Sequence, residues 1–190
     1  MGASVELSRE IAKRIVDLVH EATGSNVNLM GPGGLIIASS DPKREGSVHE
    51  GARRIMAGEL DEIAISPEMA ASMSGVKPGY NGLFSYRGER SACIGISGDP
   101  EMVRPAQKMA CLVLRQELER REAMERERGL VASIKAEIND IAERMLVLSL
   151  NGAVIAARLG EQGRGFKIVV SEMRKLAAQI GERVASLKAK

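Results

Sequence analysis

Arg44, His49 and Lys77 give this 190-residue chain a guanidinium, an imidazole and an ammonium within two glycine-containing stretches. Their chemistry is anion binding: a carboxylate needs a guanidinium or ammonium together with unpaired backbone N–H groups. Arg44 and His49 flank the start of an expected helix whose first amides are free, with Ser47 as its cap. Lys77-Pro78-Gly79 stands just before an expected strand at Gly82, where Pro and Gly fix backbone amides in a turn beside the ammonium. Ser39, Ser40 and Asn81 supply groups for ligand hydroxyls. Singly, Arg44 and Lys77 read as solvated surface charges, and His49 as a cap or core residue whose partial burial favours the neutral form. Their shared placement points instead to a pocket lined by Ser39, Ser40, Arg44, His49, Lys77, Gly79 and Asn81.

Other chemistries find less support. Ser39 or Ser40 with His49 and Asp41 holds the ingredients of a hydrolase triad, but no Gly-x-Ser-x-Gly elbow is present. Gly160-Glu161-Gln162-Gly163-Arg164-Gly165 is glycine-rich, yet a helical pattern precedes it and Phe166-Lys167 follows, where a P-loop needs Lys and Ser or Thr. Cys93 and Cys111 lack CxxC spacing and the only histidines are His20 and His49, so neither a zinc site nor a disulfide framework is expected. Two Tyr, two Phe and no Trp cannot build a base-stacking surface, and a net charge of +2 gives no field for nucleic acid or an anionic membrane. No apolar run reaches the ~18 residues of a membrane span, and the N-terminus lacks the order of a signal peptide. The expectations are a cytoplasmic protein that is not an enzyme, with no cofactor, no metal, no nucleic-acid partner and no membrane span.

The elements that must position these residues change every ten positions or so up to residue 110. Ser4 to Ala22 carries Leu7, Ile11, Ile15, Leu18 and Val19 at helical spacing, with Gly24 as a stop. Asn26 to Met30 and Leu35 to Ala38 form a hairpin across Gly31-Pro32-Gly33-Gly34. A helix is expected from Val48 to Ala57, and after a polar stretch Gly82 to Tyr86 and Ser91 to Ser97 make a second hairpin across Arg87-Gly88-Glu89. Helix, hairpin, helix, hairpin, helix is the order of a PAS-like sensor domain, an α+β fold with an antiparallel sheet covered by helices.

From Pro100 the pattern is helical almost without a break. Residues 115 to 128 hold five arginines and five glutamates but only Leu118, Ala123 and Met124 as apolar residues, so an exposed connecting helix is expected there. Val131, Ile134, Ile138, Ile141, Met145, Leu148, Gly152, Ile155 and Leu159 then follow at steps of three and four, an a/d seam. It resumes at Phe166, Val169, Met173, Leu176 and Ile180 and continues to Leu187. Two seams joined by a glycine-rich tip predict an antiparallel coiled-coil hairpin, and a homodimer in which two hairpins make a four-helix bundle.

The run from Leu148 through Asn151, Arg158, Glu161, Arg164 and Phe166, continuing to Ala177, resembles the cytoplasmic tip of methyl-accepting chemotaxis proteins. That resemblance implies a dimeric four-helix hairpin whose turn contacts a histidine kinase and its coupling protein, with Asn151 and Arg158 at positions that pack dimers into trimers. Ile155 stands where the family has a glutamate and Gly152 replaces an alanine, so poor packing with ordinary receptor trimers is expected. The N-terminal half resembles the sugar-diacid recognition domain of carbohydrate-diacid regulators, through Ile36 to Ala52, Gly75 to Gly79, and Ile94 to Pro105. This resemblance implies a sensor for small hydroxy-carboxylates such as glycerate or aldaric acids. The combined expectation is a small-acid sensor at 1–110, a charged connecting helix at 111–128 and a signalling hairpin at 129–190, with a non-sensing dimeric scaffold or adaptor of a receptor–kinase assembly as the alternative.

Overall fold

The computed structural model describes residues 7–71 and 77–186. The chain divides into two compact units, Met1–Arg120 and Arg121–Lys190. The start of the expected first helix, the motif residues Gly75 and Val76, and Leu187 lie outside the described residues.

The first unit opens with α1 (Arg9–Thr23). Ser8 caps it by accepting the Ile11 N–H at 3.4 Å, and Gly24 ends it in the left-handed region at φ 67°. Its apolar face, Ile11, Ala12, Ile15, Val16 and Val19, is buried. Five antiparallel strands follow: β1 (Val27–Met30), β2 (Ile36–Ser39), β3 (Glu62–Ile65), β4 (Gly79–Tyr86) and β5 (Glu89–Ser97), in the order β2-β1-β5-β4-β3. Between them lie α2 (Glu50–Met56) and α3 (Pro67–Ala71), and α4 (Pro100–Arg158) follows β5. The β4–β5 turn places both Arg87 and Gly88 at positive φ, as a two-residue hairpin turn requires.

This is the expected α+β class with both expected hairpins, plus two elements the sequence reading lacked. The polar stretch hides β3 and α3, because β3 is a four-residue edge strand whose Glu62 and Ala64 are exposed.

The two sheet faces are built differently. Val27, Leu29, Tyr80, Phe84, Ile94 and Ile96 pack with α1 and with Val103, Ala110, Leu114 and Leu118 of α4. Gln107 is fully buried there and donates from Nε2 to the Gly82 carbonyl at 3.1 Å. On the opposite face Met30 and Cys93 pack with Ala52 and Ile55 of α2. That second face carries polar residues as well as apolar ones. The division after Arg120 falls inside the stretch expected as a connector, since Leu114 and Leu118 belong to the sheet-domain core.

In the second unit, the remainder of α4 and α5 (Arg164–Ser186) are joined by a short 3-10 turn at Gly160–Gly163. Their contact keeps Ile138, Met145 and Gly152 of the expected seam and takes Ala142, Ser149 and Ala156 in place of Ile141, Leu148 and Ile155. Ala142, Ser149, Gly152 and Ala156 are buried, with Ile138 and Met145 half-buried beside them. From α5 come Val170, Ala177 and Val184. The large residues Ile141, Leu148, Ile155, Val169 and Leu176 stay 45–59% exposed. Small residues take the inner positions because they let the helices approach: a Cβ on Gly152 would lie 2.6 Å from Val170 Cγ2.

At the turn a Cβ on Gly163 would fall 2.3 Å from the Ala156 carbonyl oxygen, a backbone atom that cannot rotate away. Gly163→Ala is expected to cost about 1–3 kcal/mol in chemical denaturation followed by circular dichroism. Gly165→Ala, two residues on inside α5 with open space around it, is expected to be neutral or stabilising by up to ~1 kcal/mol. Equal melting of the two variants would show that the tip has no such close approach.

Candidate ligand-binding site

A cavity of about 660 Å³ opens on the second face of the sheet, beside α2 and the loop that enters β4. Its floor follows from strand register. Ser39 of β2 pairs with Asn28 of β1, Asn28 with Gly95 of β5, Gly95 with Asn81 of β4, and Asn81 with Ile63 of β3. Cross-strand partners project to the same face, so these five positions form one row across the whole sheet.

The row is polar in its middle. Asn28 and Asn81 are each only 7% exposed, and Ser39 is 1% exposed. Ser39 Oγ donates to Asn28 Oδ1 at 2.8 Å while accepting the Asp41 N–H at 3.0 Å. The Asn81 carboxamide has no hydrogen-bond partner among the described residues.

The expected site residues arrive from separate elements. Arg44 ends a 3-10 turn, Pro42–Arg44, capped by Asp41 Oδ1 accepting the Lys43 N–H at 3.2 Å. Lys77 precedes β4 and is exposed, and Gly79 opens that strand. Ser39, Arg44, His49, Lys77, Gly79 and Asn81 all line the cavity. Ser40 does not: its hydroxyl accepts the Val27 N–H at 2.9 Å, because successive residues of a strand face opposite ways.

The expected Ser47 cap is corrected. Leu35 and Val48 form a β-bridge and the His49 N–H donates to the Gly34 carbonyl at 2.9 Å, so the chain stays extended past Ser47. Ser47 Oγ donates instead to the Arg44 carbonyl at 2.6 Å. His49 takes the capping place, and its Nδ1 accepts the Ala52 N–H at 3.2 Å. That bond assigns the neutral ring's proton to Nε2. The cap therefore takes one of the helix amides expected to be free, that of Ala52.

Arg44, Arg54 and Lys77 share the cavity wall with Asp41 and Glu50, and the charges on and around it are unequally paired. Arg53 and Arg54 of α2 are taken by Glu50 at 2.6 Å and by Glu59 at 2.8 Å. Arg90 bonds Asp61 at 2.8 Å and Glu45 is engaged by Arg9. The Arg44 and Lys77 side chains have no ion-pair or hydrogen-bond partner among the described residues. Asn28 was not foreseen; the signal was a polar residue at the centre of an otherwise apolar strand, Val27–Met30.

In the second unit Asn151, Arg158, Glu161, Arg164 and Phe166 are all exposed. Arg164 and Glu161 pair at 2.9 Å across the turn. No helix among the described residues is long and apolar enough to cross a membrane.

Burial, and then the charge of Arg44, hold the His49 pKa below its ordinary 6.5. The unfolded chain therefore binds a proton before the folded one does. Stability from this group is fully present above pH 6.5 and is lost as pH falls through the lowered folded value. Urea denaturation between pH 7.5 and 5 should show this slope in wild type and lose it in His49→Asn, which keeps a capping oxygen. His49→Ala should cost about 1 kcal/mol at pH 7.5. An unchanged slope in His49→Asn would place the titration elsewhere.

Comparison with known proteins finds two family models that match overlapping stretches of the chain. The model of the methyl-accepting chemotaxis protein signalling domain matches residues 105–189. The chain is 53% identical over 49 residues to the methyl-accepting chemotaxis protein McpB of Bacillus subtilis (strain 168), covering 26% of this chain and 7% of that protein. It is 31% identical over 123 residues to the carbohydrate diacid regulator of Escherichia coli (strain K12), covering 64% of this chain and 31% of that protein. The chain thus spans about a third of the regulator and under a tenth of the receptor. Among solved structures, the GAF domain of an Acinetobacter phosphoenolpyruvate-protein phosphotransferase aligns with TM-score 0.45 and 12% identity, over 63% of this chain and 87% of that one. The sugar diacid recognition model matches residues 7–137, from before α1 through the sheet and into α4, and on that match the chain belongs to the sugar diacid recognition family.

Proposed function

We propose that the chain is a non-catalytic cytoplasmic sensor that binds a small hydroxy-carboxylate, a sugar diacid or glycerate, in the cavity of a PAS-like sheet domain. The observation that carries this reading is the pair of cations left without anions, Arg44 and Lys77, on one cavity with the unpartnered carboxamide of Asn81. Neighbouring arginines are already neutralised by glutamates and aspartate, so these two are the groups a ligand carboxylate completes. His49 Nε2–H adds a neutral donor, and Asn28, Ser39 and Asn81 suit hydroxyls.

The signal would leave through α4, which begins against the far face of the same sheet and is helical as far as Arg158. Residues 129–190 would act as a chemotaxis-receptor-like coiled-coil hairpin. A second copy completes a four-helix bundle, with a chemotaxis-type histidine kinase or coupling protein as the downstream partner. The strip Ile141, Leu148, Ile155, Val169 and Leu176 supports the homodimer, since one helix pair leaves it uncovered. The same strip favours the second reading, a dimeric scaffold or adaptor that binds no ligand.

Calorimetric titration with glycerate, tartrate and galactarate separates the two. Binding without turnover supports the sensor, and silence with all of them leaves the scaffold. Arg44 is half-buried, so Arg44→Ala should weaken binding by about 2–5 kcal/mol. Lys77 is exposed, so Lys77→Ala should cost about 1 kcal/mol. Wild-type affinity in both variants would refute the pocket assignment. Sedimentation of the full chain should show a dimer that Ile155→Glu loosens or drives into larger assemblies; a monomeric wild type at micromolar concentration would refute the bundle.

A further inference from the structure

The sheet row that floors the cavity holds a feature that charge recognition does not need. Asn28 and Asn81 stand on either side of Gly95, on the two strands that flank β5. A Cβ at position 95 would lie 2.2 Å from Asn81 Oδ1, so glycine there gives the carboxamide its place. Ser39 fixes one end of Asn28 by donating to its Oδ1, which leaves the Asn28 amide N–H groups for the cavity. Asn81 is 93% buried by residue area, lines the cavity, and has neither its donors nor its acceptor engaged among the described residues. Its amide atoms face the open cavity, where water or a bound molecule can partner them.

We propose that Asn28 and Asn81, astride Gly95, are the specificity-determining pair of this cavity and read hydroxyl groups on the bound acid. This rests on the sensor reading above. The cations Arg44 and Lys77 attract any carboxylate and are indifferent to its carbon chain. A carboxamide both donates and accepts, as a hydroxyl does, whereas a methylene leaves it unpaired. Sites built to bond a hydroxyl reject the analogue lacking it far more strongly than apolar pockets discriminate by a methylene. The two asparagines therefore separate hydroxy acids from the plain carboxylic acids of the same length.

The test uses the full chain and three matched pairs: glycerate with propionate, tartrate with succinate, and galactarate with adipate. In wild type, at least one hydroxy acid should bind about 100-fold tighter than its deoxy counterpart. Asn81→Ala and Asn28→Ala should bring that ratio to about tenfold or less, through weaker binding of the hydroxy acid alone. Gly95→Ala, which displaces Asn81 while retaining it, should lower the same ratio, and a melting curve checks that each variant is folded. Equal binding of the paired acids by wild type overturns the proposal without recourse to any variant and leaves the sensor reading intact. Variants that weaken both members of a pair equally also overturn it. Failure of all six acids to bind wild type refutes the sensor reading itself, and the proposal falls with it.

Discussion

In β4, Tyr80 and Asn81 are neighbours in the chain and point to opposite faces of the sheet, one into the helix-covered core and the other into the cavity. Every strand of the domain has to obey that alternation at once. Register is therefore the constraint on which the site depends. A slip of one residue in β4 would send Asn81 under α4 and Tyr80 into the cavity. The apolar face prevents it: Val27, Leu29, Tyr80, Ile94 and Ile96 are all buried together, and moving any one strand would expose its share. The core thus fixes the polar row without touching it.

Gln107 and Glu62 connect the two faces through α4. Gln107 sits where a Cβ on Gly82 would meet it at 2.5 Å, so the absence of a side chain on Gly82 is what lets the helix lie close to the sheet. Glu62, on the edge strand, accepts the Tyr80 hydroxyl proton and pairs with Arg104 at 3.1 Å and Lys108 at 3.4 Å. The Tyr80 hydrogen bond, followed by the charges of Arg104 and Lys108, holds the Glu62 carboxyl below its usual range against the opposing effect of burial. Ile63 and Ile65 of that same strand line the cavity. One short strand is in this way attached both to the cavity and to the helix that follows the sheet.

How far the sequence revealed this depended on how strongly each segment was constrained. The helix Arg9–Thr23 has a complete apolar stripe, a serine cap and a glycine stop, and it was legible to within a few residues. The strand Glu62–Ile65 was not, because an edge strand with two exposed positions carries little hydrophobic signal. His49 replaced Ser47 as the cap because a β-bridge two elements away keeps the chain extended, and no local pattern encodes that. Asn28 was missed for a related reason: its burial is decided by its partners on β2 and β5. In the second unit the seam was read from large residues. Ile141, Leu148 and Ile155 have the same heptad spacing as Ala142, Ser149 and Ala156, and closeness of approach, which only the smaller set permits, decided between them.

The strip of large side chains left open along the second unit also changes what its stability means. A folded protein that binds a cover, while its unfolded form does not, gains free energy as the logarithm of the cover's concentration, about 2.7 kcal/mol at one hundred times the dissociation constant. For the proposed homodimer, the helix pair would have no single intrinsic melting temperature; it would have one for each concentration of the copy lying over Leu148 and Ile155. Its degree of folding would then read out supply, and dilution alone would act on it as a denaturant.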